Sequence, residues 1–355
     1  MAVVTAKRKQ IMLWTGIMMV LAILLLPMTG YIATGFAADT VILADAGIQG
    51  QSKESPSSKP NVAENKNTSS KSTNPRSDYW RMVKNNQQGY SAVKGQESNE
   101  LIQGSGHVWQ QLRDLIGLFG GLMLGATLAV LALFYIWRGQ VPLNHQRTGQ
   151  TVERWTLRER RMHWITASLF ILLAITGLSL LYGRTVLIPL FGHQGFSTYA
   201  EISKWIHNIL GPVFMVGLLS MIVSWFSQNF LTKIDIQWFK EFGGMIGDKH
   251  PSAEKMNGGE KLWFWSLATI GIALCVSGLI LDFPNFGQQR EVLQLSHLIH
   301  LLSAFVLISF AFGHIYIGTI GTEGALEGMV TGQVDTAWAK QHHDLWLKDL
   351  EKGRD

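Results

Sequence analysis

Leu298-Ile-His-Leu-Leu-Ser-Ala-Phe-Val-Leu-Ile-Ser-Phe-Ala-Phe-Gly-His-Ile-Tyr-Ile-Gly-Thr-Ile320 decides the fold. No Asp, Glu, Lys or Arg interrupts it. A run this long and apolar reads as a membrane-spanning helix, which needs about 20 residues. His300 and His314 lie fourteen residues apart within it. A helix rises about 1.5 Å and turns about 100° per residue, so fourteen residues span roughly 21 Å and return to within about 40° of the same face. The two imidazoles therefore sit one above the other at two depths. Imidazole inside a span is costly and tends to be functional. The spacing suits two stacked haems in a bilayer core about 30 Å thick, each needing axial nitrogen ligands. The plain alternative is a pair of helix-packing histidines.

Two further histidines complete a set of four. His163 opens the apolar run Trp164–Tyr182, and His207 sits near the start of Trp205–Phe226. His297 competes with His300, but it lies seventeen residues before His314, which turns its face away by roughly 100°. His300 is therefore the expected ligand.

Topology pairs the four. The long apolar runs are Ile11–Tyr31, Ile116–Trp137, Trp164–Tyr182, Trp205–Phe226, Leu262–Leu281 and Leu298–Ile320. Between the second and third lie Arg138, Arg147, Arg154, Arg158, Arg160 and Arg161, and between the fourth and fifth lie Lys233, Lys240, Lys249 and Lys255. The opposite loops hold Arg184 and Arg290. The positive-inside rule puts the basic segments in the cytoplasm. His163 and His314 then share the inner depth, and His207 and His300 the outer one.

The chain is expected to be an all-α integral membrane bundle, a four-helix di-haem core with one extra N-terminal spanning helix. Residues 1–37 read as a signal peptide, with basic Lys7, Arg8 and Lys9, an apolar stretch and small residues Gly35 and Ala37 before the cut; a retained signal anchor is the alternative. Residues 38–110 are expected as a periplasmic arm. Gln51–Arg76 is rich in Ser, Lys, Asn and Pro and has too little apolar surface to fold alone. Trp80, Tyr90, Leu101, Ile102 and Trp109 suit an arm laid on a partner, or a plain tether. Residues 111–140 are the additional spanning helix, with Gly117, Gly121 and Gly125 as a small-residue face for close helix approach; lacking histidine, this helix is expected as scaffold or subunit interface. Residues 150–325 are the core and 326–355 a cytoplasmic tail.

Composition narrows the function. Hydrophobic residues make up 47% and charged residues 15%, so the net charge of +5 belongs to topology-setting loops and not to nucleic-acid binding. Trp137, Trp164, Trp205, Trp225, Trp238, Trp263 and Trp265 fall at span ends, the expected interfacial belt. Cys275 is the only cysteine. That excludes an intrachain disulfide, a four-cysteine iron–sulfur site and a C-x-x-C-H haem attachment. The sequence shows no nucleotide loop, zinc motif or nucleophile–base arrangement. The chain has the residues to carry electrons and none to oxidise a substrate, so no catalytic residue is assigned and an electron-supplying partner is implied.

Lys255-Met-Asn-Gly-Gly-Glu-Lys-Leu-Trp-Phe-Trp265 stands before the fifth run. Asn257 suits a helix cap, with Gly258 and Gly259 permitting close backbone approach. The functional reading is a polar pocket beside the inner haem, where amide and backbone donors hold a quinone carbonyl. Gly177, fourteen residues after His163, falls at the outer haem's depth and would leave room for a porphyrin.

Three stretches resemble a known family, the γ subunit of membrane-bound formate dehydrogenase, a cytochrome b. They are Arg158-Glu-Arg-Arg-Met-His-Trp164, Asn257-Gly-Gly-Glu-Lys-Leu-Trp-Phe-Trp265, and His297 through Tyr316 followed by Gly321-Thr-Glu-Gly-Ala-Leu-Glu-Gly-Met-Val-Thr-Gly332 and Trp338-Ala-Lys-Gln-His-His343. The resemblance covers about 150 to 350; Leu101–Gly106 and Trp109 match only the extended members, and more loosely. It implies four core helices with two b haems, on His163, His207, His300 and His314. It implies a quinone, menaquinone or ubiquinone, near Asn257 and Gly259; Glu260 departs from the Gln of some members. It also implies a molybdenum or tungsten catalytic α subunit, an iron–sulfur β subunit and a place in the bacterial inner membrane. His342 and His343 match the family's tail and are expected at the cytoplasmic surface. The expected function is transfer of electrons from the periplasmic partner to quinone. The alternatives are the same device serving a hydrogenase or thiosulfate reductase, and a transporter or haem-free anchor, which the scarcity of other intramembrane ionisable residues disfavours.

Overall fold

The computed structural model describes residues 80–81, 104–247 and 249–353. The expected signal segment, the run Ile11–Tyr31 and nearly all of the arm lie outside the described residues. Residues 29–112 and 113–355 belong to different compact units, and His163, His207, His300 and His314 lie in the latter.

Five helices among the described residues are long and apolar enough to cross a membrane. The first is α1, Gly104–Arg138. Next come α2, Leu157–Val186, and α3, Ile188–Trp225. After the short α4, Lys233–Lys240, the fourth span runs Gly258–Asp282 as α5 (Gly258–Ser266), a π turn (Leu267–Gly271) and α6 (Ile272–Asp282). The fifth span is α7, Arg290–Tyr316, closing in a second π turn, Ile317–Gly321. Ile165, Val216, Val223 and Leu302 point outward and are more than half exposed, as suits helices whose outer solvent is lipid.

Local sequence sets the helix ends. Thr156 caps α2: its hydroxyl accepts from Glu159 N (3.4 Å) and Glu159 Oε2 accepts from Thr156 N (2.8 Å). Glu159 Oε1 also accepts from the Trp225 indole (3.1 Å), which ties the start of α2 to the end of α3. Trp225 is thus buried against the protein, whereas Trp137, Trp164 and Trp205 are exposed at span ends. Gly192 breaks α3 early, at φ 69°, in a backbone region that favours glycine.

Phe214, Leu218, Leu267, Cys275 and Leu307 fill the centre of the bundle. The extra helix α1 joins through Leu124, Phe305 and Ile308. Its close approach uses Gly120, where a Cβ would collide with Phe305. Cβ atoms at Gly117 and Gly125 of the expected small-residue face would meet open space, while the Gly117 carbonyl accepts from the Tyr182 hydroxyl (2.6 Å). Gly120 lies about 100° round the helix from Gly121, and a ring as broad as Phe305 needs only one gap.

One end of the bundle carries most of the loop cations and is called the basic end here. It is capped by a folded unit. Thr151–Glu153 (β1) pairs antiparallel with Gln333–Asp335 (β2), Val152 opposite Val334. Short helices flank β2: α8, Ala325–Thr331; α9, Thr336–His342; and α10, Asp344–Lys352. Val152, Val334, Trp338, Ala339, Trp346 and Leu347 form its core. Asp335 caps α9, accepting from Ala337 N (2.8 Å), Gly149 N (3.0 Å) and Thr148 N (3.2 Å). The terminal segment is therefore a packed cap, and the surface placement of His342 and His343 is corrected. His343 is 1% exposed and donates from Nδ1 to the Glu254 carbonyl (2.7 Å); His342 packs against Trp338 and His250. Burial pushes His343 well below the ordinary histidine value. It pushes His342 down to about 3, with neighbouring His343, His250 and Arg154 adding to the effect.

Lys261 is wholly buried where α4 meets α5. Its ammonium donates to Asp235 (2.9 Å) and Glu254 (2.9 Å). A buried charge needs such partners, and this pair of carboxylates pins α4 against the start of the fourth span.

Candidate functional site: two histidine pairs

The helices bring the four predicted histidines together two by two. His207 of α3 faces His300 of α7, with ring centroids 6.1 Å apart and planes at 75°. His163 of α2 faces His314 of α7, at 6.2 Å and 58°. The second pair adjoins the basic end and is called the near pair; the first is the far pair. His297 lies one turn before His300, and it is the His300 ring that meets His207.

The spacing can be tested against one metal ion. An imidazole nitrogen binds a transition metal at about 2.0 Å, and each ring adds about 1.1 Å from nitrogen to centroid. Two rings on one ion therefore stand roughly 6 Å apart, which both pairs satisfy. Each pair offers two imidazoles, and among the described residues no cluster of three or more His, Cys, Asp or Glu forms. Two axial nitrogens suit an iron whose other ligands come with a porphyrin.

The far pair is held by hydrogen bonds. His300 Nδ1 lies 3.0 Å from the Leu274 carbonyl. A carbonyl only accepts, so Nδ1 carries the proton and Nε2 keeps its lone pair. His207 Nδ1 meets Thr176 Oγ1 at 2.9 Å, and the Leu173 carbonyl also acts on that ring as an acceptor. The Thr176 hydroxyl donates back to the Leu172 carbonyl (2.9 Å), which leaves its oxygen to accept from His207. Both far imidazoles thus keep Nε2 for the ion.

Glycine lets each far ring seat. A Cβ at Gly177 would lie 3.1 Å from His207 Cε1, and one at Gly278 would lie 3.0 Å from His300 Cε1. Gly177 therefore makes room for the imidazole itself. Two segments carry the same pattern: Leu173-Ala-Ile-Thr-Gly177 on α2 and Leu274-Cys-Val-Ser-Gly278 on α6. In both, a leucine carbonyl, a hydroxyl and a glycine meet one histidine; Ser277 Oγ is 3.4 Å from His300 Nδ1. Thr176, Ser277 and Gly278 escaped the sequence reading, although this Leu-x-x-(Thr/Ser)-Gly repeat was the available signal.

The near pair is held differently. His163 Nδ1 is buried and no protein atom accepts from it. His314 stacks on the Trp263 indole at 5.3 Å and 17°. Trp164, edge-on to His163, donates to the Met329 carbonyl (3.0 Å) of the cap. Both π turns follow closely on this site, one after Trp263 and one after His314, and such turns often mark functional places in helices.

Asn257, Gly259 and Glu260 stand at the basic end. Asn257 caps α5: its Oδ1 accepts from Glu260 N (3.0 Å), and Glu260 Oε2 accepts from Asn257 N (2.9 Å). Glu260 Oε1 accepts from Arg154 (2.8 Å). Arg154 is buried, and its guanidinium lies between the rings of Trp155 (5.4 Å) and Trp338 (4.8 Å). The departure at Glu260 thus has a partner, an ion pair to the cap. Gly259 is explained by Trp238: a Cβ there would come 2.8 Å from the indole.

A model of the prokaryotic cytochrome b561 family matches residues 154–332. The chain belongs to that family. Its matched segment holds all four paired histidines, and the family carries haem b. The nitrate-inducible formate dehydrogenase cytochrome b556(Fdn) subunit of Escherichia coli strain K12 is 31% identical over 199 residues, 55% of this chain and 89% of that one. The formate dehydrogenase cytochrome b556(fdo) subunit of the same strain is 30% identical over 206 residues, 57% of this chain and 94% of that one. A formate dehydrogenase cytochrome b556 subunit of Haemophilus influenzae is 28% identical over 196 residues, covering 54% and 79%. The chain is thus a multi-pass membrane cytochrome b similar to formate dehydrogenase subunits.

Proposed function

We propose that this cytochrome b is the membrane subunit of a formate dehydrogenase complex. It carries electrons from a periplasmic iron–sulfur partner through two b haems to membrane quinone. One haem lies on His207 and His300, the other on His163 and His314. The observation that carries the reading is the pair of imidazole couples, each at the spacing of a single iron. Bound haem iron takes up and gives up one electron at a time.

The chain's own residues do the rest. Thr176 and the Leu274 carbonyl fix the far imidazoles so that Nε2 faces the ion. Trp263 holds the face of His314. Asn257 spends its oxygen on the helix cap, and its amide is the donor offered to a quinone carbonyl. Gly259 leaves room beside α5 for the Trp238 indole, which forms one wall of that site. The loop cations make the basic end cytoplasmic in the bacterial inner membrane, with the C-terminus there and the arm periplasmic. Protons for quinol are then taken from the cytoplasm, so electron transfer across the bilayer separates charge. Formate itself is oxidised on a molybdenum or tungsten α subunit, and an iron–sulfur β subunit delivers the electrons.

The complex purified from membranes tests this. Two b haems per chain, reduced by formate and reoxidised by a soluble quinone analogue, are expected, together with co-purifying molybdenum or tungsten and iron–sulfur subunits. A single haem, or reduction by hydrogen and not by formate, overturns the reading.

A further inference from the structure

The two pairs differ in what holds Nδ1. His300 donates to the Leu274 carbonyl at 3.0 Å, and His207 donates to Thr176 Oγ1 at 2.9 Å. At the near pair, His163 Nδ1 has no protein acceptor, and His314 meets the face of Trp263. A hydrogen bond from the outer nitrogen raises the basicity of a ligating imidazole. A more basic ligand pushes electron density onto iron and favours the ferric state, and second-shell hydrogen bonds are an established lever on haem potential. Charge is mixed at the near pair. Arg158, Arg160 and Arg161 lie within five residues of His163 and favour the ferrous state, which carries less positive charge, while Glu159 among them and Glu260, whose charge reaches His314, act against them.

We infer that Thr176 and the Leu274 carbonyl set the far haem to a lower midpoint potential than the near haem, so that electrons run downhill toward the basic end. The inference rests on the proposed ligation. With haem held by these histidines, each transfer would move one electron, the far iron being oxidised from ferrous to ferric as the near iron is reduced from ferric to ferrous. Thr176 is a positioning residue, acting through His207. The repeated Leu-x-x-(Thr/Ser)-Gly pattern at 173–177 and 274–278 supplies the same device to both far ligands and to neither near one.

The test is a spectroscopic redox titration of the intact complex with haem counted in parallel. His300→Ala and His314→Ala each leave one haem, whose midpoint identifies the far and near sites in the native protein. Thr176→Val, nearly isosteric but unable to accept, should keep both haems and raise the far midpoint alone. A threefold or larger shift in the reduction equilibrium is expected, where tenfold is 59 mV for one electron. Thr176→Ser should restore the native value. The inference is overturned by an unmoved far midpoint in a two-haem Thr176→Val protein. It is also overturned if the haem left in His300→Ala has the lower midpoint of the two, a measurement that stands even where Thr176→Val loses haem. Failure of the ligation itself reads differently: both haems would persist in His300→Ala.

Discussion

The far and near pairs share one helix and nearly one spacing, yet they are built from different materials. The far pair is a backbone device. Helix carbonyls and a hydroxyl hold the rings, and glycines at 177 and 278 let them seat. It touches no charged side chain among the contacts described above. The near pair is an aromatic device beside a charged cap. Trp263 carries His314, Trp164 bridges to Met329, and Glu260 and Arg154 lie just beyond. Rigid, neutral surroundings suit a site that only relays electrons. A site bordered by an ion pair and a folded cap can also respond to protons and to a headgroup at the membrane surface.

The largest effect should come from the histidines themselves. His207→Ala or His300→Ala should remove one haem of two, and His163→Ala or His314→Ala the other, each halving the haem measured per chain. Loss of both haems from a single far substitution would make the pairs one cooperative site and erase the contrast. His297→Ala should leave both haems in place.

Next come the seats. Gly278→Val places branched carbon where even a Cβ stands 3.0 Å from His300, and the helix backbone cannot yield. Overpacking of this kind costs about 1–3 kcal/mol. The far haem should be lost or loosely held while the near haem stays, as haem quantitation would show. Gly211→Ala, where a Cβ meets nothing within 4 Å, is the control. Equal loss from both sites would mean that the substitution unfolds the bundle and says nothing of the seat.

How much of this was legible follows the physics of period. Residues that repeat along one helix declare their face and depth, so His300 and His314 gave themselves away, and His163 and His207 followed from span order. Asn257 was legible as a cap because capping is local. The long-range contacts were not. Gly120 looks no different in sequence from Gly117 or Gly125, and only the position of Phe305 selects it. The cap rests on the pairing of Val152 with Val334, nearly two hundred residues apart, so a segment that read as a tail buries His343. Lys261 reads as a surface lysine until Asp235 and Glu254 are seen beside it.

The near pair's dependence on the cap can be broken at Glu260. Gln keeps the capping geometry but removes the charge that faces Arg154. Stranding one partner of a buried ion pair costs about 3–5 kcal/mol. Glu260 is about a third exposed while Arg154 is buried (side chains 31% and 4%), which points to the low end, about 3 kcal/mol. Thermal unfolding of the E260Q protein should begin earlier. The near-haem spectrum should shift, because the Glu260 charge lies within electrostatic reach of His314, while the far spectrum holds. A shift at the far haem would contradict the separation of the two sites.

The smallest effect is one of pH, and its sign is fixed by burial. His342 is pushed down to about 3, first by burial and then by His343, His250 and Arg154, with Glu260 opposing. His343 is also depressed, by burial and by Arg154, against its bond to the Glu254 carbonyl and the charge of Asp344. Both histidines are therefore neutral in the folded cap. A histidine in the unfolded chain titrates near about 6.5. Above that value the folded and unfolded forms bind the same number of protons and stability does not change. Below it the unfolded form binds more, so stability falls with pH until the folded groups titrate. At pH 5 the deficit from His342 is about 1.5 pH units, or about 2 kcal/mol at 1.36 kcal/mol per unit. Asp335 does not offset this: burial opposes its ionisation, but N–H donors from Ala337, Thr148 and Gly149 outweigh that and hold it low, so it stays charged in this window. The cap should thus loosen between about pH 6.5 and 4, and protease cleavage within 325–353 should report it. The near-haem spectrum should change over the same range before the far one does. His342→Phe, which fills the space without a proton site, should flatten the response. An unchanged pH profile in that variant would leave His343 as the group that governs the cap.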